Sequence, residues 1–390
     1  SAPNPDLDKL TEEARRYLPS APLGSGYIGD EAIATRVLQD WNRHNDAHRV
    51  GAPDGTGVGA DMLSDLPKSR RRWNLCCQAI SEQRVSPQFA DYLASGTFIF
   101  TAKPDKSNPE HPFPADHTKV TGARPLLLCP TLRRLVSGFL AVRYTVHNRR
   151  LYSEKLQFGL IASGTEAATR DVLLTVDLKP PTNAVVGVDI KNAHTTLARL
   201  AAFMVLSRRY AETGHALDLA ALKYFLLFYR SFNVRYIKVG KQYRAVFQTD
   251  GLDQGEAMAS HIFGFTIADI MDRIFAPKVI DCGRLFVHDD TTLTGEIFCP
   301  SAPNAVMPTT TSPSITPLPY AVELFAYILL HYMRTTLADG KTVCFQPLLP
   351  ANHPCLASRA AHLFPAGTKF SSTSYTLAGC DIATTATFPI

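Results

Sequence analysis

Leu285-Phe286-Val287-His288-Asp289-Asp290-Thr291-Thr292-Leu293 sets two adjacent carboxylates between short runs rich in apolar and β-branched residues. The pattern predicts a tight hairpin with both acids at its tip. Neighbouring side chains of a strand point to opposite faces, so only one of the two acids can be aimed fully at a given target. A polar turn that happens to carry two aspartates fits the same residues, and the stretch gains meaning from its company.

Upstream, Val185-Val186-Gly187-Val188-Asp189-Ile190-Lys191-Asn192-Ala193-His194-Thr195-Thr196 reads as an apolar strand ending in an aspartate and running into a helix. Asp189 or Asn192 can cap the helix that carries Leu197, Leu200, Phe203 and Met204. Asp189 can also be a metal ligand at a strand's end, facing the acidic hairpin. Two divalent ions about 3.5–4 Å apart need carboxylate oxygens from separated segments, and a lone aspartate joined by a pair is a minimal supply. Between these stretches lies Thr249-Asp250-Gly251-Leu252-Asp253-Gln254-Gly255-Glu256-Ala257-Met258-Ala259-Ser260, leading into a helical run through His261, Phe263, Ile267 and Met271. Its two glycines let the backbone approach a flat ligand closely. A helix start there offers an anion site.

In this order the segments resemble the palm and fingers of a reverse transcriptase, most similar to those of non-LTR retrotransposons, including the kinetoplastid kind. Asp189 stands at the family's first catalytic motif. Gly251-Leu252-Asp253-Gln254-Gly255-Glu256 resembles its template motif, and Val287-His288-Asp289-Asp290 its catalytic hairpin. Phe98 to Asp105 and Gly122 to Leu127 resemble the fingers segments that hold the incoming triphosphate. Gln157-Phe158-Gly159 with Gly164-Thr165-Glu166-Ala167 resembles the segment just before the first catalytic motif. The matching region runs from about Gly96 to Gly295.

The resemblance implies an RNA-dependent DNA polymerase that extends a primer 3′-hydroxyl with release of pyrophosphate. It implies an RNA template, a nucleic-acid primer and nucleoside triphosphates as partners, and two Mg²⁺ or Mn²⁺ ions as cofactors. Asp189 and Asp289 would ligate the ions with Asp290 in support. Lys103 and Arg124 would neutralise the triphosphate, with His194, Gln254 and Gly255 at the nucleotide. Gly251, Arg133 and Arg134 would serve template and primer. The implied architecture is α/β, a right-hand palm and fingers with a mostly antiparallel sheet backed by helices and no complete thumb. Along the chain it gives an N-terminal helical extension supporting the fingers at 1–95, fingers at 96–180, a catalytic palm at 181–299, a flexible insertion at 300–319, and palm completion with primer-grip-like strands at 320–390.

The chain departs from the family in places that bear on its chemistry. Val287 replaces the usual aromatic and His288 precedes the acids. His194 stands where the family carries a bulky aromatic against a ribose 2′-hydroxyl, so an RNA-dependent RNA polymerase is a second alternative. The lysine that protonates the leaving pyrophosphate has no counterpart at Leu348-Leu349-Pro350, and Lys341 is a poor substitute. These absences leave open a catalytically silent scaffold that binds RNA or proteins in a larger assembly. Three retained carboxylates, whose mutual repulsion only a metal relieves, argue for activity.

The 390-residue chain has 45% hydrophobic and 19% charged residues, which excludes global disorder. A net charge of +5 and a pI near 8.7 are mildly basic, so nucleic acid must be met by local clusters. Lys68-Ser69-Arg70-Arg71-Arg72 is the densest of these. Eight cysteines without a CxxC, two of them adjacent at Cys76-Cys77, suggest neither a zinc site nor a secreted disulfide framework. A reducing intracellular compartment is expected, with the nucleus favoured. No run is long enough to span a membrane. A chain opening on Ser1 reads as a piece of something longer. Trp41 and Trp73 read as core anchors. Helices are expected over Leu10 to Leu18, Leu217 to Phe228 and Tyr320 to Thr336, a hairpin over Phe232 to Gln248, and a strand near Thr342 to Leu348. The uncharged Pro/Ser/Thr stretch Cys299 to Pro319 reads as a surface insertion.

Overall fold

The computed structural model describes residues 5–19, 75–103, 123–178, 182–279, 282–297, 318–346 and 357–383, short of positions 77, 81 and 379. In chain order the helices are α1 (Pro5–Tyr17), α2 (Pro87–Ala94), α3 (Thr131–Glu154), α4 (Gly164–Leu178), α5 (Ala193–Thr196), α6 (Arg199–Thr213), α7 (Ala216–Phe228), α8 (Ala257–Ile270) and α9 (Leu318–Met333). The strands are β1 (Thr97–Ala102), β2 (Ala123–Leu128), β3 (Asn183–Val188), β4 (Asn233–Val239), β5 (Gln242–Gln248), β6 (Gly283–Val287), β7 (Asp290–Glu296), β8 (Val343–Phe345), β9 (Lys369–Ser371), β10 (Ser374–Leu377) and β11 (Cys380–Ala383). Expectations placed on Trp41, Trp73, Lys68 to Arg72, the fingertip Pro104 to Pro114, the insertion at 300–317 and Leu348 to Pro350 lie outside the described residues. The fold is mixed α/β. Two compact units form, one from Ser1–His147 with Leu206–His261, the other from Asn148–Val205 with Ile262–Ile390.

The second unit is built on a five-stranded sheet in the order β6-β7-β3-β8-β9, antiparallel except where β9 runs parallel to β8. β3 is central and buried from Ala184 to Val188, which is why it reads as a continuous apolar run and not as an alternating one. Ala168 and Val172 of α4, flanked by Leu173 and Val176, pack on Val185, Leu285, Val287 and Phe345, with Tyr375 and Leu377 closing the cluster. Tyr375 lies over Gly187, where a Cβ would come within 2.4 Å of the ring. Its hydroxyl shares a 2.8 Å hydrogen bond with Thr292 Oγ1, and burial pushes the phenol up to about 12. Gly187→Ala should therefore lower stability by roughly 1–3 kcal/mol through overpacking, read as a lower urea midpoint with an unchanged slope.

The first unit holds a four-stranded sheet in the order β2-β1-β4-β5, in which only the β1–β4 pairing is parallel among the described strands. α7 is buried from Leu217 to Phe228. Even its one lysine is taken inside, where Lys223 Nζ lies 2.5 Å from Glu82 Oε2 and 2.6 Å from the Pro19 carbonyl. A buried ammonium is tolerated when its protons are met in this way.

Candidate active site

The acidic hairpin forms as its sequence requires. Val287 pairs with Asp290 to close β6 on β7, leaving His288 and Asp289 as the two-residue turn. His288 takes φ +56°, the left-handed conformation such turns need and one that a non-glycine residue adopts at a cost. β7 pairs with β3 up to Val188–Thr291, so the next residues on the two strands are Asp189 and Asp290. The three aspartates thus gather at one end of the sheet, and all are half-buried. Past Asp189 the chain is pinned to the segment after α9. Asp189 O accepts from Ala338 N at 2.7 Å, Lys191 N donates to Thr336 O at 2.8 Å, and Ile190 bridges Leu337. That segment brings Lys341 round, and its ammonium contacts Asp189 Oδ2.

The turn is held from behind by one side chain. Gln157 is fully buried; its Nε2 donates to the carbonyls of His288 and Gly264, both at 3.3 Å, while its Oε1 accepts from the N–H of His288 at 3.0 Å and of Gly159 at 3.2 Å. A single amide therefore clamps both backbone groups of the strained turn residue. Gly159 completes the fit, since a Cβ there would lie 2.4 Å from His288 N. Gln157→Leu leaves His288 N–H and C=O without these partners. The change should cost about 1–3 kcal/mol of stability. The loss should read as a lower urea midpoint with the fold retained by circular dichroism.

His194 stacks on Phe263 with centroids 4.8 Å apart and planes at 25°. Burial lowers its pKa, the Asp289 charge works the other way, and His288 lowers it further. His288 is lowered by burial against the same Asp289 charge. The charge of Asp290 acts instead on the Tyr375 phenol, raising it behind the larger effect of burial. The two adjacent acids thus have different neighbours, as strand alternation predicts. Because both imidazoles are depressed from 6.5 in the folded state, the unfolded chain binds more protons as the solution is acidified. The stability this contributes is complete above the unfolded pKa and is lost as pH falls through the folded one. A urea midpoint that rises from pH 5 to pH 8, with a smaller rise in His194→Gln, is the expected result.

In the first unit, Lys103 and Arg124 sit at the end of the β1–β2 pair from which the chain connects the two strands, where Thr101 pairs with Arg124 and Ala102 with Ala123. Arg124 is exposed and Lys103 half-exposed. The glycine-rich loop adds to the edge of β2 through Leu127 N to Gln254 O at 3.1 Å. Gly251 at φ +77° and Gly255 at φ +97° make its turns, and Gln254 and Gly255 remain accessible. The residues between and beside them point inward. Asp253 Oδ2 lies 2.6 Å from Arg133 Nη2 and 2.8 Å from Arg235 Nη2. Glu256 accepts from the hydroxyls of Tyr224 and Tyr229 at 2.7 and 2.9 Å and caps α8 at Met258 N.

Arg133 corrects an expectation. Its side chain is wholly buried, paired to Asp253 and layered over Phe228 and Tyr229 with its Cζ 4.6 and 5.4 Å from the ring centroids, so it cannot meet a template phosphate. It anchors the loop. Arg134, half-buried, donates to Thr131 Oγ1 at 3.2 Å. Arg235 and the Asp253 pairing were not foreseen. An acid flanked by loop glycines looks exposed in sequence, and no local signal marks Asp253 as buried.

Asp189, Asp289, Asp290 and His194 are brought together in the second unit; Lys103, Arg124, Arg133, Arg134, Gly251, Gln254 and Gly255 belong to the first. Among the described residues, the group of three donors whose ligand atoms all lie within 4.8 Å of one another is His147, His215 and Asp218, and the three aspartates stand wider than that. No described helix is long and apolar enough to cross a membrane. Compared with known proteins, the sequence matches no family model and no curated protein.

Proposed function

We propose that the Asp189, Asp289 and Asp290 centre performs template-directed nucleotidyl transfer, as an RNA-dependent DNA polymerase of reverse-transcriptase type with palm and fingers. The observation that carries the reading is the convergence of a strand-end aspartate and a clamped two-aspartate hairpin on one sheet end. The donor set suits hard divalent cations, being carboxylate oxygens from separate segments, one of which already attracts an ammonium. Asp189 and Asp289 would hold Mg²⁺ or Mn²⁺, which when bound supplies Lewis acidity to the triphosphate and lowers the pKa of the attacking hydroxyl.

The chain's own groups do the rest. Gln157 fixes the turn so that Asp289 keeps its direction without help from substrate. Lys341, whose ammonium contacts Asp189 Oδ2, would have to yield that carboxylate to a bound divalent ion, and is the ammonium this centre offers as a proton donor. His194, neutral and packed on Phe263, presents an imidazole edge for sugar selection. The triphosphate roles of Lys103 and Arg124, and the template and nucleotide roles of Gly251, Gln254 and Gly255, rest on the family resemblance at those positions and belong to the same proposal. Primer extension on an RNA template with Mg²⁺ or Mn²⁺, with deoxy- and ribonucleotides in parallel, tests it. Deoxynucleotide incorporation supports the reading, ribonucleotide preference makes the protein an RNA polymerase through His194, and RNA binding with no extension under either metal leaves a scaffold.

A further inference from the structure

Away from the aspartates, the first unit gathers three donors of a different kind. His147 comes from α3, His215 caps α7, and Asp218 stands three residues on in the first turn of that helix. The two imidazoles lie face to face, centroids 3.8 Å apart and planes at 17°, and His147 Nε2 is 3.5 Å from Asp218 Oδ2. Stacked rings do not hydrogen-bond each other, so the stack itself satisfies none of their nitrogens. The Asp218 carboxylate is buried, and its two oxygens are treated unequally. Oδ2 accepts from Thr213 Oγ1 at 2.6 Å and lies 3.5 Å from Arg209 Nε, whereas Oδ1 is buried with no hydrogen-bond partner. A buried carboxylate oxygen left unfilled costs free energy that a helix cap alone does not explain. His215 is exposed and His147 partly so, which leaves a route from solvent.

We propose that His147, His215 and Asp218 form a zinc-type metal site, with two imidazole nitrogens, one carboxylate oxygen and solvent as the fourth ligand. Imidazole with carboxylate selects a borderline transition ion over Mg²⁺, so this site and the aspartate centre would take different metals. Ligand atoms now spread over as much as 4.8 Å would close to about 3.3 Å, the separation set by bonds of 2.0–2.2 Å in a tetrahedron. That closure requires the two rings to rotate about χ1 and χ2. His215 Nδ1 now accepts from Leu217 N at 3.1 Å, so coordination through Nε2 shifts the ring proton from Nε2 to Nδ1 and exchanges this capping bond for the metal. The ion would tie α3 to the start of α7 and keep one coordination position open to solvent.

The test uses the full chain, stripped with a chelator and titrated with Zn²⁺ against a chromophoric competitor, with Mg²⁺ in a parallel arm. The site predicts saturable zinc binding that Mg²⁺ does not displace, a zinc-dependent rise in melting temperature, and Co²⁺ absorption bands of a four-coordinate nitrogen/oxygen set. His147→Gln and His215→Gln should each weaken zinc at least ~10-fold and remove the melting-temperature rise. Both side chains reach the surface, so these variants keep the fold if Asp218→Asn does not. No zinc binding up to ~100 µM, or binding unchanged in both histidine variants, means a helix cap only and overturns the site. Zinc occupancy is read without primer extension, so failure of the polymerase reading would leave this result standing.

Discussion

Asp289→Ala is expected to abolish primer extension while leaving the protein folded. Asp289 occupies a turn position and is half-buried, so truncating it creates no core cavity. It also removes the acid whose charge reaches His194, the residue beside the expected nucleotide. A carboxylate that positions a catalytic divalent ion contributes several kcal/mol to the transition state, or a loss on the order of 10³-fold or more. Asp289→Asn should do nearly the same, because shape is kept and charge is lost. Asp290→Ala should be milder in the chemistry, since the Asp290 charge bears on the Tyr375 side of the sheet. Equal circular dichroism and urea midpoints for wild type and Asp289→Ala, together with loss of turnover, separate a catalytic from a structural role.

The largest stability effect is expected at Asp253. Its carboxylate is the shared anion between Arg133 and Arg235, all three wholly buried. Arg235 is further held by Gln248 Oε1 at 2.8 Å and by the Ala94 carbonyl. Asp253→Ala leaves two buried guanidinium groups without the anion they share, with Glu256 the acid that still acts on Arg133, and should cost about 3–5 kcal/mol. Against a total stability of roughly 5–15 kcal/mol, that brings the unit close to unfolding at ambient temperature. Arg133→Met should cost less, because Asp253 keeps Arg235 and the methionine can still fill the space over Phe228 and Tyr229. Urea unfolding orders the variants; an Asp253→Ala midpoint within error of wild type would contradict the electrostatic account of this loop.

Much of the fold was legible because its signals are local. The hairpin at Gly240-Lys241 announced itself by alternation and a turn glycine, and β4 and β5 run Asn233–Val239 and Gln242–Gln248 around Gly240 at φ +61°. The apolar run after Asp218 became buried α7, and α9 begins at Leu318, two residues before the expected start at Tyr320. The strand expected over Thr342 to Leu348 is described only as Val343–Phe345. What sequence could not give was partnership across long separations. Nothing near Gln157 says that its amide will hold a turn over a hundred positions away, and nothing near Lys341 says that it will return to Asp189. Arg133 misled for the same reason, since its partner lies in a loop that reads as polar surface. Charge type is written in sequence, but burial of that charge is decided by tertiary contacts.

The central claim is that the acids at the end of β3 and in the β6–β7 turn carry nucleotidyl transfer. Its most direct measurement is primer extension on an RNA template at saturating Mg²⁺, comparing wild type with Asp189→Ala at equal concentration and equal folded fraction. The account predicts extension by the wild-type chain and none by the variant. Extension that survives in Asp189→Ala would contradict it.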